Sequence, residues 1–277
     1  MHRSTVARLK IETDLHRALK NQELELYYQP IVNTFTCEIS GFEALLRWHH
    51  PERGFISPTQ FIPIAEESSL MLDIGWWVLG QACGQARLWQ QTFDHCQSLV
   101  MNVNLSSKQL FQVDYLAQIE TILANTAFNP NGLALEITES TFIKAFESTD
   151  EKLQHLRKLG IALSIDDFGT GYSSLSYLSR FPFNTLKIDR SFIQSLGNNA
   201  DQSAIVEAII LLGHKLGLEI VAEGVETLAQ YHWLQQQGCD KIQGYLFLPA
   251  MNAKTITTLL QTGRQLPLTN DIFGHFA

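Results

Sequence analysis

Acidic and amide side chains stand at the ends of a series of short apolar segments in this chain of 277 residues. The residues are Glu43, Asn104, Glu136, Asp166, Asp167 and Glu223, and a lysine, Lys187, holds the equivalent place in one further segment. The segments have the length and composition of buried β-strands, beside which a carboxylate costs free energy unless a metal or a partner charge compensates it. Oxygen ligands without His or Cys suit Mg²⁺ or Mn²⁺ better than Zn²⁺. The pattern therefore predicts a divalent-cation site.

The adjacent acids Asp166 and Asp167 are the most specific part of this pattern. Neighbouring residues of a regular strand point to opposite faces, so both acids can serve one site only where the strand is ending. One carboxylate can bridge two cations about 3.5–4 Å apart, the arrangement used in phosphoester hydrolysis. The segment 168–174, rich in glycine and hydroxyl groups, follows at once and can approach a ligand closely. A solvated turn is the alternative.

Two basic residues are candidates for the same chemistry. Lys187 is flanked by apolar residues, so it either extends its ammonium group to water or acts in the site. In the site it would hold the attacking water, or remove its proton if the pKa of the lysine is lowered. Arg47, four residues after Glu43, is a candidate phosphate anchor through its planar guanidinium group, and a surface ion pair is the alternative.

Eight apolar segments, most of them separated by amphipathic helical stretches, must position these residues. The predicted strands are Leu24–Val32, Ile39–Trp48, Leu99–Leu105, Leu133–Ile137, Ile161–Asp166, Thr185–Ile188, Glu219–Ala222 and Lys241–Phe247. This alternation fits a (β/α)8 barrel better than an open doubly wound sheet, which is the alternative. In such a barrel the carboxyl ends of the strands share one face, so the polar residues would lie together.

The connection between the first two predicted strands indicates a modified barrel. The link around Asn33–Glu38 is too short for a helical crossover, so we expect these strands to pair antiparallel. Ser57 followed by Pro58 is typical of a helix start, and Gly160 and Gly217 follow predicted helix ends.

Neither a linker nor a low-complexity segment divides the chain. We expect a lead-in helix over residues 1–20, a barrel over residues 21–263 and a tail over residues 264–277. The abrupt helical start suggests that the barrel belongs to a larger multidomain protein.

Composition limits the classes of binding partner and the location that we expect for the protein. The net charge is −8 and no basic run is present, which disfavours binding of long nucleic acid but allows a phosphate-bearing small ligand if metals neutralise the site. The four cysteines are scattered, which favours free thiols over a zinc site or a disulfide. The sequence contains neither a run of about 20 apolar residues nor a signal-peptide core, so we expect a soluble cytoplasmic protein without a membrane span.

Ordered sequence blocks over residues 20–260 carry a specific resemblance. They read EALLR at 43–47, YQPI at 28–31, NVNLS at 102–106, EITES at 136–140, DDFGTG at 166–171, LKID at 186–189, AEGVE at 222–226 and QGYLF at 243–247. Together they resemble the EAL domain family of bacterial cyclic-di-GMP phosphodiesterases. The resemblance implies the modified barrel, and hydrolysis of cyclic-di-GMP to linear pGpG with Mg²⁺ or Mn²⁺, with two cations per site.

The resemblance also implies roles for individual residues. The family's metal ligands correspond to Glu43, Asn104, Glu136, Asp166 and Asp167, and Glu223 corresponds to a glutamate that acts as base or water ligand. Lys187 corresponds to the lysine that contacts the attacking water, and Glu139 to the glutamate that holds the loop after the fifth predicted strand. Gln29, Arg47 and Gln243 resemble substrate contacts, with Glu226 near the same site.

Two other functions remain open. Some family members have lost activity and act as cyclic-di-GMP receptors or protein-binding modules, but this chain keeps every position named above. An unrelated divalent-metal barrel enzyme would explain the acids but not the ordered blocks. One departure, Leu248, stands where the family usually has a small or basic residue, which concerns the substrate rim and not the metal ligands. The resemblance further implies a homodimer formed through helices near the fifth and sixth predicted strands.

Overall fold

The computed structural model describes residues 2–144, 150–169, 178, 181–197 and 200–267. The strands in this part of the chain are β1 Leu24–Asn33, β2 Ile39–His50, β3 Gly54–Ile56, β4 Val100–Asn104, β5 Leu133–Thr138, β6 Ala162–Phe168, β7 Thr185–Ile188, β8 Glu219–Glu223, β9 Lys241–Gln243 and β10 Met251–Asn252. Its helices are α1 His2–Ala18, α2 Pro58–Glu67, α3 Leu70–Thr92, α4 Ser107–Leu110, α5 Tyr115–Thr126, α6 Glu139–Lys144, α7 Asp150–Lys158, α8 Arg190–Ile193, α9 Ala200–Lys215, α10 Leu228–Gln236 and α11 Ala253–Gln261.

Eight strands close into a barrel in the order β1, β2, β4, β5, β6, β7, β8, β9 and back to β1. Neighbours from β2 to β9 run parallel, whereas β1 is antiparallel to both β2 and β9. The predicted barrel and its antiparallel first strand are therefore confirmed. The short strands β3 and β10 add to the outer parts of β2 and β1.

Apolar faces of the helices cover the outside of the barrel. The long helix α3 buries one face, and its Trp89 ring lies 4.9 Å from the ring of Tyr28 and 5.1 Å from that of Phe42. The antiparallel β1–β2 pair thereby gains an aromatic contact that fixes it to the helical layer. Among the described helices, none is both long and apolar enough to span a bilayer.

Helix α1 packs beside the barrel mouth. Its Leu15 and Ala18 are buried in the core, and its Asp14 pairs with Arg53 at 3.0 Å and with His50 at 3.4 Å. Arg53 lies in the turn between β2 and β3, and His50 is the last residue of β2. The helix is therefore tied to the strand that carries Glu43 and Arg47.

Local signals predicted several element boundaries correctly. Ser57 precedes α2, whose first residue is Pro58. Gly160 and Gly217 follow α7 and α9 with φ angles of +91° and +73°, the left-handed region that favours glycine at helix ends.

The last predicted strand, Lys241–Phe247, is wrong beyond Gln243. A side chain on Gly244 would collide with the backbone of Val225, so this glycine allows the two segments to touch. Val225 N–H donates to the Gln243 carbonyl at 3.1 Å, and Leu246 N–H donates to the Val225 carbonyl at 2.9 Å. These bonds turn the chain away from the barrel immediately after Gln243. Of the predicted tail, residues 268–277 lie outside the described residues.

Candidate active site

Four carboxylates surround the ammonium group of Lys187 inside the barrel mouth. Its Nζ lies 2.6 Å from Glu223, 2.9 Å from Glu136, 3.3 Å from Asp166 and 3.6 Å from Glu43. The lysine is 1% exposed, so these charges interact in a setting with little water. The structure thus brings five predicted site residues into one cluster, which we call the Lys187 cluster.

The strands place these side chains by alternation and register. In β7, Leu186 and Ile188 pack outward into the core, which turns Lys187 into the barrel. Asn104 and Glu223 are the last residues of β4 and β8, each one residue away from the predicted strand end. Glu43 is different because β2 continues to His50. It lies at the mouth because β2 pairs with β4 only as far as Ala44 and then extends beyond the barrel.

A bulge, and not a strand end, allows both Asp166 and Asp167 to face the site. Between β6 and β7 the register changes so that three residues of β6 span the distance of two in β7. Asp167 has a φ angle of +55°, the left-handed region, which is uncommon for an aspartate. Ligand atoms of Asp166, Asp167 and Glu223 consequently lie within 4.8 Å of one another. Strand β6 ends one residue later, at Phe168.

Amide side chains orient Glu43. Asn104 Nδ2 donates to Glu43 Oε1 at 3.0 Å, and Gln243 Nε2 donates to Glu43 Oε2 at 2.7 Å. Gln243 Nε2 also lies 3.0 Å from Gln29 Oε1, and Gln29 Nε2 donates to the Leu248 carbonyl at 3.3 Å. This chain of contacts joins β1, β2, β4 and β9 across the mouth. The unusual Leu248 takes part through its backbone, which any residue provides.

For both Glu43 and Lys187, burial and the neighbouring charges shift the pKa in opposite directions. Burial opposes ionisation of Glu43, but Lys187 and the amides of Gln243 and Asn104 outweigh it and lower the pKa of this carboxyl. Burial likewise opposes the charge of Lys187, but Asp166, Glu136, Glu223 and Glu43 outweigh it and raise the pKa of the ammonium group well above its usual value. In this structure Lys187 is a cation that donates hydrogen bonds, and its pKa is not lowered as a proton acceptor would need.

Three acids of the site, Glu136, Asp167 and Glu223, have raised pKa values. Burial, with Glu43, Asp166 and Glu223 nearby, raises the pKa of Glu136 well above its ordinary value despite the attraction of Lys187. Burial also raises the pKa of Glu223 to about 8 and that of Asp167 to about 6, and the charge of Asp166 adds to both shifts. One buried ammonium group does not neutralise this concentration of carboxylates.

The donor set fits a divalent cation. Among the described residues, Glu136 Oε1 is buried without a hydrogen-bond partner, and Asp166 Oδ1 has only its ion pair with Lys187. Buried carboxylate oxygens without donors are costly, and a cation would satisfy them. Oxygen ligands of this type are those that Mg²⁺ and Mn²⁺ prefer. The acidic cluster can therefore bind a metal.

A cleft of about 290 Å³ opens beside these acids. Its polar side includes Asn104, Asp166, Asp167 and Arg47, and its apolar side is formed mainly by helices α2 and α3. The guanidinium group of Arg47 is half-buried, lies 5.5 Å from the centre of the Tyr27 ring and donates to the Leu46 carbonyl at 2.9 Å. Arg47 thus stands at the cleft, and neither of these contacts is the surface ion pair of the alternative interpretation.

Glu139 contacts the start of the glycine-rich loop. Its Oε2 accepts a hydrogen bond from Gly169 N–H at 3.0 Å, and the glutamate is 5% exposed. This contact agrees with a role in holding the loop. The rest of the predicted loop, residues 170–174, lies outside the described residues.

Glu226, like the predicted substrate contacts Gln29 and Gln243, is not part of the described cleft lining. It is exposed in the segment after β8, and its backbone N–H donates to Gln230 Oε1 at 2.8 Å.

The sequence does not identify the apolar wall of this cleft. The wall includes Ile62 of α2 and Met71, Ile74 and Val78 of α3. In the sequence these residues are part of ordinary helical periodicity, which indicates only packing. Their place in the wall follows from the position of both helices beside β2.

The fold and the site define a modified (β/α)8 barrel whose mouth is lined with carboxylates around a buried lysine. Residues 12–250 match the EAL domain family, and the chain belongs to this family.

Several relatives are similar over most of this chain. The bifunctional diguanylate cyclase/cyclic di-GMP phosphodiesterase MucR of Pseudomonas aeruginosa is 43% identical over 256 residues, which is 92% of this chain and 37% of MucR. The cyclic di-GMP phosphodiesterase NbdA of the same organism is 40% identical over 239 residues, 86% of this chain and 30% of NbdA. The chain therefore spans about a third of the length of these relatives.

A solved structure described as the PaMucR phosphodiesterase in a c-di-GMP complex superposes with a TM-score of 0.86 at 44% identity. The match covers 89% of this chain and 99% of the other.

Proposed function

We propose that this protein is a metal-dependent phosphodiesterase that hydrolyses cyclic-di-GMP to linear pGpG. The observation that carries the proposal is the Lys187 cluster, with oxygens of Asp166, Asp167 and Glu223 within 4.8 Å of one another beside a cleft. Membership of the EAL domain family and the names of the relatives support the same substrate.

The carboxylates and Asn104 are the proposed ligands of two Mg²⁺ or Mn²⁺ ions. Asp166, turned inward by the bulge, is the proposed bridging ligand, and the remaining ligands are Glu43, Asn104, Glu136, Asp167 and Glu223. When bound, such ions neutralise charge on the phosphate and lower the pKa of water. They also explain how a protein with a net charge of −8 would accept an anionic substrate.

Lys187 and Glu223 are the proposed residues that handle the attacking water. Lys187 donates hydrogen bonds and holds the oxygen of the water in place. Glu223, whose carboxylate lies 2.6 Å from Lys187 Nζ, is the proposed acceptor of its proton. The water oxygen bonds to phosphorus, the bond from phosphorus to the 3′ oxygen breaks, and that oxygen takes up a proton. The product is the linear dinucleotide.

The cleft is the proposed binding site of the substrate. Arg47 presents a planar guanidinium group suited to a phosphate, and Gln29 and Gln243 offer amide groups at the opposite side of Glu43. The apolar wall from α2 and α3 suits the flat face of a guanine. Glu226 stays a proposed contact at the rim.

A single assay tests this function. The protein is incubated with cyclic-di-GMP and Mg²⁺ or Mn²⁺, and pGpG is followed by chromatography, with binding measured separately. We expect pGpG to form only when a divalent cation is present, and chelation to stop it. Binding of cyclic-di-GMP without product would instead favour the receptor function.

A further inference from the structure

A cavity of about 220 Å³ lies inside the barrel, directly beneath the Lys187 cluster. Barrel interiors of this type are usually filled by layers of bulky branched side chains. Here the layer below the cluster has the branched residues Ile31 and Val221, but most of its other members are small or polar. They include Gly41, Asn102, Ala134 and Thr185, which stand two positions before Glu43, Asn104, Glu136 and Lys187 respectively.

Ser164 lies in this layer with an unsatisfied hydroxyl group. It precedes Asp166 by two residues in β6 and is 1% exposed, and its Oγ has no hydrogen-bond partner among the described residues. Its neighbour two positions earlier, Ala162, lines the cavity, so alternation along the strand turns Ser164 into the barrel as well.

Glu136 is the neighbour of Ser164, and one of its carboxylate oxygens lacks a hydrogen-bond donor. The two residues are direct partners in the β5–β6 register, on strands about 4.8 Å apart. Glu136 Oε2 accepts from Lys187, whereas its Oε1 is buried without a donor. The pair directly below, Ala134 and Ala162, has no side chain large enough to fill the space.

The cavity is large enough to hold water, and Asn102 and Thr185, which line it, supply polar partners. Ser164 and Glu136 are not part of the lining themselves, but they follow the lining residues Ala162 and Ala134 by two positions in their strands. At the floor, Lys241 and Glu219 form an ion pair of 2.8 Å, and their side chains are 20% and 40% exposed. The floor is thus open to solvent, at the end of the barrel opposite the cleft.

We infer that ordered water in this cavity links Ser164 to Glu136, which makes Ser164 a positioning residue for the metal site. The inference rests on the proposed function, in which Glu136 is a metal ligand and must keep a fixed orientation. Outer hydrogen bonds of this kind orient a ligand and tune its basicity. Lys187 contacts Glu136 from within the cluster. Ser164 and its water would hold the same carboxylate from the cavity side.

The test compares Ser164→Ala with Ser40→Ala, using Mn²⁺ alone as the probe. Ser40 also lines the cavity, but its hydroxyl already donates to the Ile31 carbonyl at 3.0 Å, so it is the matched control. Calorimetric titration without nucleotide should show about tenfold weaker Mn²⁺ binding in Ser164→Ala and unchanged binding in Ser40→Ala. With cyclic-di-GMP, kcat of Ser164→Ala should fall while KM stays the same. Circular dichroism checks that both variants fold.

A high-resolution crystal structure of the unmodified protein provides the independent readout. We expect ordered water within hydrogen-bonding distance of Ser164 Oγ. A dry cavity, wild-type Mn²⁺ affinity in Ser164→Ala, or equal losses in both variants would each overturn the inference while leaving the proposed function intact. Failure of the unmodified protein to bind Mn²⁺ would overturn both.

Discussion

Glu43 is held by three separate groups of the site. Lys187, Gln243 and Asn104 all contact it, and each favours its ionised form. We predict that Glu43→Ala lowers turnover by at least about 100-fold, because it removes a proposed ligand and leaves the partner amides without an acceptor. The rate of pGpG formation measures this effect.

The control for Glu43 is Glu38→Ala. Glu38 is exposed at the opposite end of the barrel, so this variant should keep wild-type activity. Near-normal turnover in Glu43→Ala, with circular dichroism unchanged, would refute the metal assignment.

Glu139 should affect the reaction through the loop that it contacts. Because its Oε2 accepts from Gly169 N–H, Glu139→Ala removes that anchor but no proposed ligand. We expect turnover to fall more than Mn²⁺ affinity, as measured by steady-state kinetics and by titration. Glu139→Gln keeps an acceptor oxygen and should lose less. Parallel losses of turnover and Mn²⁺ affinity in Glu139→Ala would contradict a role through the loop.

The raised pKa values of Asp167 and Glu223, about 6 and about 8, predict how metal binding depends on pH. Below these values the carboxyl groups carry protons that a cation must displace, so binding is weakened at low pH and strengthens as pH rises from 6 to 8. Each displaced proton contributes roughly a tenfold gain per pH unit below its pKa. Titration with Mn²⁺ in buffers of different ionisation enthalpy would measure both the affinity and the protons released. A flat affinity over this range would refute the prediction.

At the scale of elements, the end of β9 matters for the candidate site because it places Gln243 against Glu43. Gly244→Ala would press a methyl group into the Val225 backbone, and overpacking of this kind costs about 1–3 kcal/mol. We predict a lower melting temperature together with weaker catalysis, measured by thermal unfolding and by the hydrolysis assay.

Gly80→Ala is the matched control for this glycine. Gly80 lies within α3 with open space where a methyl group would go, so alanine should stabilise the helix by about 0.5–1 kcal/mol. If Gly244→Ala were as stable and active as Gly80→Ala, the close approach to Val225 would not matter.

The sequence predicted those elements whose signals are local. The short link at Asn33–Glu38 allowed only antiparallel pairing, and the alternation of strands and helices indicated the barrel. The bulge at Asp166–Asp167 and the early end of β9 could not be predicted in the same way. Both depend on contacts with other strands and loops, namely the register against β7 and the hydrogen bonds to Val225.

The same distinction applies to the candidate site. Residue types and their order identified the acids and Lys187, because charges in buried strands are unusual. Which of them touch was set by the barrel, which brings Glu43 and Glu223 to one lysine. The unsatisfied hydroxyl of Ser164 has no sequence signal, because serine within a strand is unremarkable until its surroundings are known.

At the scale of the whole molecule, the homodimer stays a prediction. Helix α9 follows β7, the sixth predicted strand, and exposes Ile205 and Leu211 at 45% and 60%. We expect a dimer by light scattering, and we expect Leu211→Glu to give a monomer, since a buried charge without a partner is costly. Leu88→Glu, on the exposed face of α3, should leave the dimer intact. A monomeric unmodified protein would refute the prediction.

The antiparallel direction of β1 also determines on which side the chain enters the barrel. In an all-parallel barrel the first strand begins at the floor, but Leu24 of β1 pairs with Trp48 beyond the mouth. Gln265 pairs instead with Glu38, beside the floor. We therefore predict that a fluorophore placed on α1 responds to cyclic-di-GMP if the nucleotide binds at the proposed site, whereas one placed near Gln265, on the far side of the barrel, does not.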